Sequence, residues 1–205
     1  MKLKNLLFLF LITFLSSSCE KDDIEFNSEY ESSLKAFNTF KAQNNNSYRY
    51  VESGYTYDGF SWETTITVKN GTVVKREFEY LVFNSFEKPA NGWTENDLDK
   101  IIARGPKDYF ETLKEEGISF LDILSFTEEN GKFTGQSKYP RAFSAITLDE
   151  IYERAKNEWL IKNDNVNVSF ENNNNGMISL AGSWLKVCND GCFRGVRIKL
   201  IEPLK

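Results

Sequence analysis

The residues of this chain that could do chemistry are its paired acids, its last two cysteines and a cluster of aromatics near the first third of the sequence. Acids stand together at Glu115-Glu116, Glu128-Glu129 and Asp22-Asp23, and two apart at Glu77 and Glu79. Hydrolysis by a carboxylate pair needs two acids facing one another across a cleft, which adjacency in sequence does not establish. Glu77 and Glu79 flank Phe78, so on a strand they share the face opposite to it, as a solvated sheet surface requires.

No histidine occurs anywhere. That removes His-based nucleophilic triads, His-ligated zinc, haem held through histidine and the commonest general base. Neither a Gly-rich phosphate loop nor an EF-hand acidic loop is present, and no cofactor is expected.

Cys188 and Cys192 flank Asn189-Asp190-Gly191. Across a three-residue hairpin loop they would lie opposite each other at a separation that a disulfide permits. A bridge over so short a loop constrains the unfolded chain by only roughly 2 kcal/mol, so it would pin the turn more than the fold. The alternatives are a redox pair and a metal site. Two thiolates without further ligands make an incomplete zinc site, so no metal is expected.

Tyr48, Tyr50, Tyr55, Tyr57, Phe60 and Trp62 form the aromatic cluster. If exposed, Tyr48, Tyr50, Tyr55, Tyr57 and Trp62 would make a recognition surface for a sugar, peptide or protein. Aromatics also favour strands and fill cores, which is the competing reading of the same residues.

The elements that must position these groups can be read from periodicity and turn chemistry. Ser28 with Glu31 matches a capping box, and Tyr30, Leu34, Phe37 and Lys41 recur at helical spacing, predicting a helix from about Glu29 to Gln43 that ends at Asn44 to Asn46. Ser47 to Tyr57 reads as a strand with a bend or bulge at Gly54. Trp62, Thr64, Ile66 and Val68 alternate with polar residues, and Asn70-Gly71 turns the chain into a strand over Thr72 to Phe83. Keeping both apolar sets on one face predicts a three-residue loop, with Ile66 opposite Val74, Trp62 opposite Phe78 and Gly71 in the left-handed region.

Residues 85 to 140 read as a helical insertion, with helices starting at Thr94 and at Gly105-Pro106 and a turn at Asn130-Gly131. Thr147 and Glu150 form a second capping box, followed by the stripe Leu148, Ile151, Tyr152, Ala155 and Trp159. Strands follow over Asn165 to Glu171, Met177 to Val187 and Phe193 to Ile201. The expected fold is α+β, a mainly antiparallel sheet of about six strands with helices packed on one face and a helical insertion.

At the N-terminus, Lys2 and Lys4 precede the uncharged run Leu6 to Leu15, then Ser16, Ser17, Ser18 and Cys19. A basic start, an apolar run and small residues are the pattern of an export signal. The run covers ten residues, against roughly 20 for a membrane-spanning helix. A cysteine directly after the small residues resembles the lipobox of bacterial lipoproteins, although Ser16 stands where that pattern usually has Leu. The resemblance implies cleavage before Cys19 and lipidation of it, hence a membrane partner through the anchor. Lys21, Asp22 and Asp23 resemble the charged signal that sends Bacteroidota-type lipoproteins to the outer face of the outer membrane. The alternative is its periplasmic face.

The organisation expected is a signal peptide over 1–18, a lipidated cysteine and tether over 19–27, and one domain over 28–205 with an insertion at about 85–140. Removing residues 1 to 18 takes two lysines and no acids, so the formal charge moves from −5 to −7. Net acidity without a long basic run speaks against nucleic acid as a partner. The capped first helix, Ser47-Tyr48-Arg49-Tyr50, Val68-Lys69-Asn70-Gly71 and Thr147-Leu148-Asp149-Glu150-Ile151-Tyr152 together resemble a bacterial secreted domain of unknown function over 28–84 and 144–201. That resemblance implies the α+β layout and no known catalytic residues. The functional expectation is an outer-envelope lipoprotein that binds an unidentified protein or glycan without catalysis. The alternatives are a carboxylate-dependent hydrolase of an extracellular polymer and a structural envelope component.

Overall fold

The computed structural model describes residues 24–105, 107–134, 141–188 and 192–204. The export segment, Cys19, Lys21, Asp22 and Asp23 lie outside the described residues. Helix α1 is Asn27–Gln43, and strands β1 (Tyr48–Thr56), β2 (Phe60–Lys69), β3 (Thr72–Phe83) and β4 (Phe86–Glu87) follow. The insertion contributes helices α2 (Glu95–Arg104), α3 (Lys107–Glu115) and α4 (Phe120–Leu124) and strands β5 (Ser125–Glu129) and β6 (Lys132–Thr134). Helix α5 (Leu148–Arg154) runs into a π-helical turn, Ala155–Trp159, before β7 (Val166–Glu171), β8 (Leu180–Leu185) and β9 (Phe193–Pro203).

The fold is α+β, but among the described residues the sheet has nine strands rather than the expected about six, in the order β6-β5-β3-β2-β1-β9-β8-β7 with β4 on the end of β3. The three additional strands, β4, β5 and β6, all come from the segment read as helical. In β5 only Phe126 is buried, so there is no period-2 signal to read. The strand exists because residues 125–129 pair with β3. Every strand pair is antiparallel. The last strand joins the two halves, since Phe193 to Arg197 pair with β8 and Ile198 to Pro203 pair with β1.

The β2–β3 hairpin corrects the predicted loop. Lys69 pairs with Thr72, so the loop is the two residues Asn70 and Gly71, at φ 50° and 78°. Positive φ at both positions is the turn that matches strand twist, and Asn-Gly favours it. A bulge between Thr67 and Val68 then shifts the register, setting Ile66 opposite Arg76 and Trp62 opposite Tyr80. The added residue restores the facing that the apolar pattern demands, at two residues from the predicted register. Gly54 is not a bulge either. The bulge in β1 lies between Val51 and Glu52, and a side chain at Gly54 would strike the Trp62 ring.

Helix α1 starts two residues before its predicted beginning without the Ser28–Glu31 box, because Ser28 Oγ donates to Glu29 instead. Its end follows expectation, with Asn45 and Asn46 at φ near 50°. At the start of α2 Asp97 accepts from both Thr94 N and Thr94 Oγ1, and Thr147 with Glu150 caps α5 reciprocally.

Helices cover one face of the sheet. Tyr30 and Phe37 of α1 and Ile151 and Tyr152 of α5 pack on Tyr48, Tyr50, Ile66 and Val68. The insertion helices pack Leu98, Ile101, Phe110 and Phe120 on Phe78, Tyr80 and Phe126. Tyr152 ties the layers: its ring stacks on Phe37 with centroids 5.2 Å apart, its hydroxyl donates to the Ser33 carbonyl, and Ile178 N donates to that hydroxyl.

Candidate functional site

Strand register divides the aromatic cluster between the two sides of the sheet. Tyr48 and Tyr50 are fully buried beneath the helices, so they are core residues rather than surface recognition groups. Their hydroxyls explain why phenylalanine does not stand there. The Tyr48 hydroxyl accepts from Leu148 N, an amide of the first turn of α5 that has no partner within its own helix, and Tyr50 donates to the Ile146 carbonyl at 2.6 Å. Trp62 is half-buried on the same side against Gly54 and Tyr80, with the Arg141 guanidinium over its ring at 5.4 Å. Tyr55 and Tyr57 are exposed, at 55% and 79%.

Glu52 lies between Tyr50 and Gly54 on the covered side and is 8% exposed. Burial pushes its carboxyl up to about 7; the Thr64 hydroxyl and the Arg197 cation pull the other way, and Glu63 adds to the rise. One carboxylate oxygen has no hydrogen-bond partner among the described residues.

The open face of the sheet carries the acids. Glu63 sits directly opposite Glu79, Thr65 opposite Glu77, Glu77 opposite Thr127 and Glu79 opposite Ser125. Like charges directly across strands are destabilising, and lysines offset them. Lys199 reaches Glu63 at 2.5 Å, Lys75 reaches Glu77 at 2.7 Å, and Lys88 pairs with Glu79. With Arg49, Trp93 and Asp122 the acids Glu63, Glu77 and Glu79 line a trough of about 710 Å³ over β2, β3 and β5. Trp93 is fixed there by donating from Nε1 to the Tyr80 carbonyl at 3.0 Å.

Sequence reasoning placed Glu77 and Glu79 on a polar face, as found. It missed Glu63, although its place in the β2 alternation was visible. It also missed Trp93 and Asp122, which belong to the insertion and carry no periodic signal.

At the other end of the open face, the Arg197 guanidinium lies 3.7 Å from the Phe193 ring centroid, 5.2 Å from that of Tyr55 and 5.9 Å from that of Trp184. Phe193 fits because its strand neighbours Gly182 and Gly195 leave room, and a Cβ on either would meet its ring. Cys188 and Cys192 are paired at a Cα separation of 6.2 Å. They sit beyond the last β8–β9 rung, Trp184 with Phe193, and residues 189–191 between them lie outside the described residues.

Among the described residues, no three His, Cys, Asp or Glu side chains gather in a way that would hold a metal. No helix among them is long and apolar enough to cross a membrane. Comparison with protein-family models, with curated proteins and with solved structures returned no match to this chain.

Proposed function

We propose that the chain is an outer-envelope lipoprotein, held by a lipid on Cys19, whose domain is a non-catalytic binding module that takes its ligand on the open sheet face. The envelope part rests on the basic start, the apolar run Leu6 to Leu15, the serines before Cys19 and the charges of Lys21, Asp22 and Asp23. These favour the outer face of the outer membrane over its periplasmic face.

The observation that carries the binding part is the trough over β2, β3 and β5. It presents carboxylates and the hydroxyl side chains Thr65, Ser125 and Thr127 as acceptors beside one indole wall, Trp93. That mixture suits a hydroxyl-rich ligand, and an oligosaccharide is the simplest of that class. Titrating the full chain with envelope and extracellular oligosaccharides by calorimetry tests it. Saturable binding lost in Thr65→Trp, which fills the trough from an outward-facing strand position, is the expected result. Absence of binding across that panel sinks the reading.

Glu63 opposite Glu79 favours one second reading, a carboxylate-dependent hydrolase. Both acids are already engaged by lysines, whereas such chemistry needs one acid free to donate a proton and one free to attack or to activate water. Glycan cleavage that disappears in Glu63→Gln or Glu79→Gln would establish the enzyme instead.

A further inference from the structure

Exposed apolar side chains crowd one end of the molecule. The first described residues dock there: Ile24 bridges to Ile161, and Glu25 N donates to the Leu160 carbonyl at 2.8 Å. From Ile161 the chain leads into Val166, which pairs with Leu185, and Lys186 N donates to the Asn165 carbonyl at 2.9 Å. One rung further, Trp184 pairs with Phe193, and Arg197 links that pair to Tyr55, whose ring meets Tyr57 at 6.2 Å. Along this path Phe26, Ile161, Leu185 and Val187 are exposed, Val187 at 91%, together with both tyrosines.

Single exposed apolar residues need no explanation, but a contiguous group on one end does. Rings with a polar edge, aliphatic side chains and long cations with apolar stems are the groups that suit the boundary between lipid headgroups and acyl chains. Lys162, Lys186 and Arg194 supply the cations, all exposed. Arg194 is already paired with Glu158 at 3.2 Å, and Glu25, Asp58 and Asp164 are chain neighbours of this group, so attraction there rests on apolar area and not on net charge.

We propose that this end is a membrane-docking surface, seated on the lipid headgroup layer with Tyr57, Ile161, Leu185 and Val187 entering the interface. The proposal rests on the reading of Cys19 as lipidated. Five residue steps separate Cys19 from Ile24, and at most ~3.6 Å per step they span roughly 18 Å. A lipid on Cys19 therefore keeps this end within roughly 18 Å of the bilayer. The two elements are complementary, since the acyl chains confine the domain and the apolar end orients it.

The test uses the full chain, expressed so that export and lipidation proceed, purified and reconstituted into vesicles of phosphatidylethanolamine and phosphatidylglycerol with brominated acyl chains. Flotation and the mass of the N-terminal peptide, with Cys19→Ala beside wild type, report the anchor. Tryptophan emission reports docking, with Trp184→Phe and Trp93→Phe assigning the signal to each ring. Docking predicts about a twofold loss of Trp184 emission, the quencher lying within the roughly 5–10 Å that interfacial groups enter. Trp93 emission stays unchanged, and the quenching persists at high salt.

A Tyr57→Ser, Ile161→Ser, Leu185→Ser, Val187→Ser variant changes only exposed positions, and is expected to float while its Trp184 escapes quenching. An acylated protein that floats with Trp184 unquenched overturns docking and leaves the anchor standing. A chain without acyl groups that fails to float overturns the anchor and docking together. Self-association in detergent that the serine variant abolishes would assign the surface to a second copy and overturn the lipid partner.

Discussion

Glu52 is the residue whose environment departs furthest from what a strand position implies. Its carboxyl is buried and raised from an ordinary 4.5 to about 7. The folded protein thus holds a proton that the unfolded chain has released between those values, and stability falls as pH rises from about 4.5 through 7. The full difference is of order 3 kcal/mol. Urea unfolding at pH 5 and pH 8 should show that fall, and Glu52→Gln should flatten it and raise stability at pH 8. A wild type equally stable at both values would refute the assignment. Tyr48 makes a second residue-scale prediction. Removing its hydroxyl in Tyr48→Phe leaves Leu148 N buried without its acceptor, at a cost of about 1–3 kcal/mol in the same assay. The need for aromatics in β1 was legible in Tyr48 and Tyr50. Their burial was one of the two readings that the sequence offered, and strand register under the helices decided it for Tyr48 and Tyr50 but not for Tyr55 and Tyr57.

Elements built by local chemistry are the ones that appear where the residues announce them. The Thr147–Glu150 box caps α5 as expected, and Thr147→Ala should cost about 1 kcal/mol in thermal unfolding, with little change in the native spectrum. The Asn70-Gly71 turn is equally local. Gly71 sits at φ 78°, where an L side chain costs roughly 1–2 kcal/mol, so Gly71→Ala should lose about that much while Asn70→Gly loses far less. What the turn residues do not specify is the neighbouring bulge at Thr67–Val68. Pairing of β3 on both sides, with β2 and with β5, selects that register. The Ser28 box failed for a related reason. Ser28 lies inside the helix, which starts at Asn27 because Glu25 N and Ile24 are held by Leu160 and Ile161.

Across the whole molecule, one sheet carries two apolar clusters side by side, each under its own helices. Phe37 is wholly buried at the centre of the first, and Phe37→Ala should cost about 3–5 kcal/mol by the loss of packing and the cavity left behind. The Cys188–Cys192 bridge closes a loop outside the sheet ladder. Reducing it should lower stability by no more than about 2 kcal/mol, measured by denaturant unfolding with and without reductant. A larger loss would mean that the bridge holds the β8–β9 pair rather than its tip.

Residue order alone determined the α+β class, the helix starts at Thr94 and Thr147, the position of the Asn70-Gly71 turn and the long alternating strands. Each depends on groups within a few positions of one another, so each leaves a periodic or turn signal. Tertiary structure alone decided the nine-strand count, the burial of Tyr48 and Tyr50, the meeting of Glu63 with Glu79 and the gathering of Phe26, Ile161, Leu185 and Val187 at one end. Those outcomes depend on which distant segments pair and which sheet face the helices cover. Such choices are set by the free energy of burying the whole apolar surface at once, and no local window of sequence contains it.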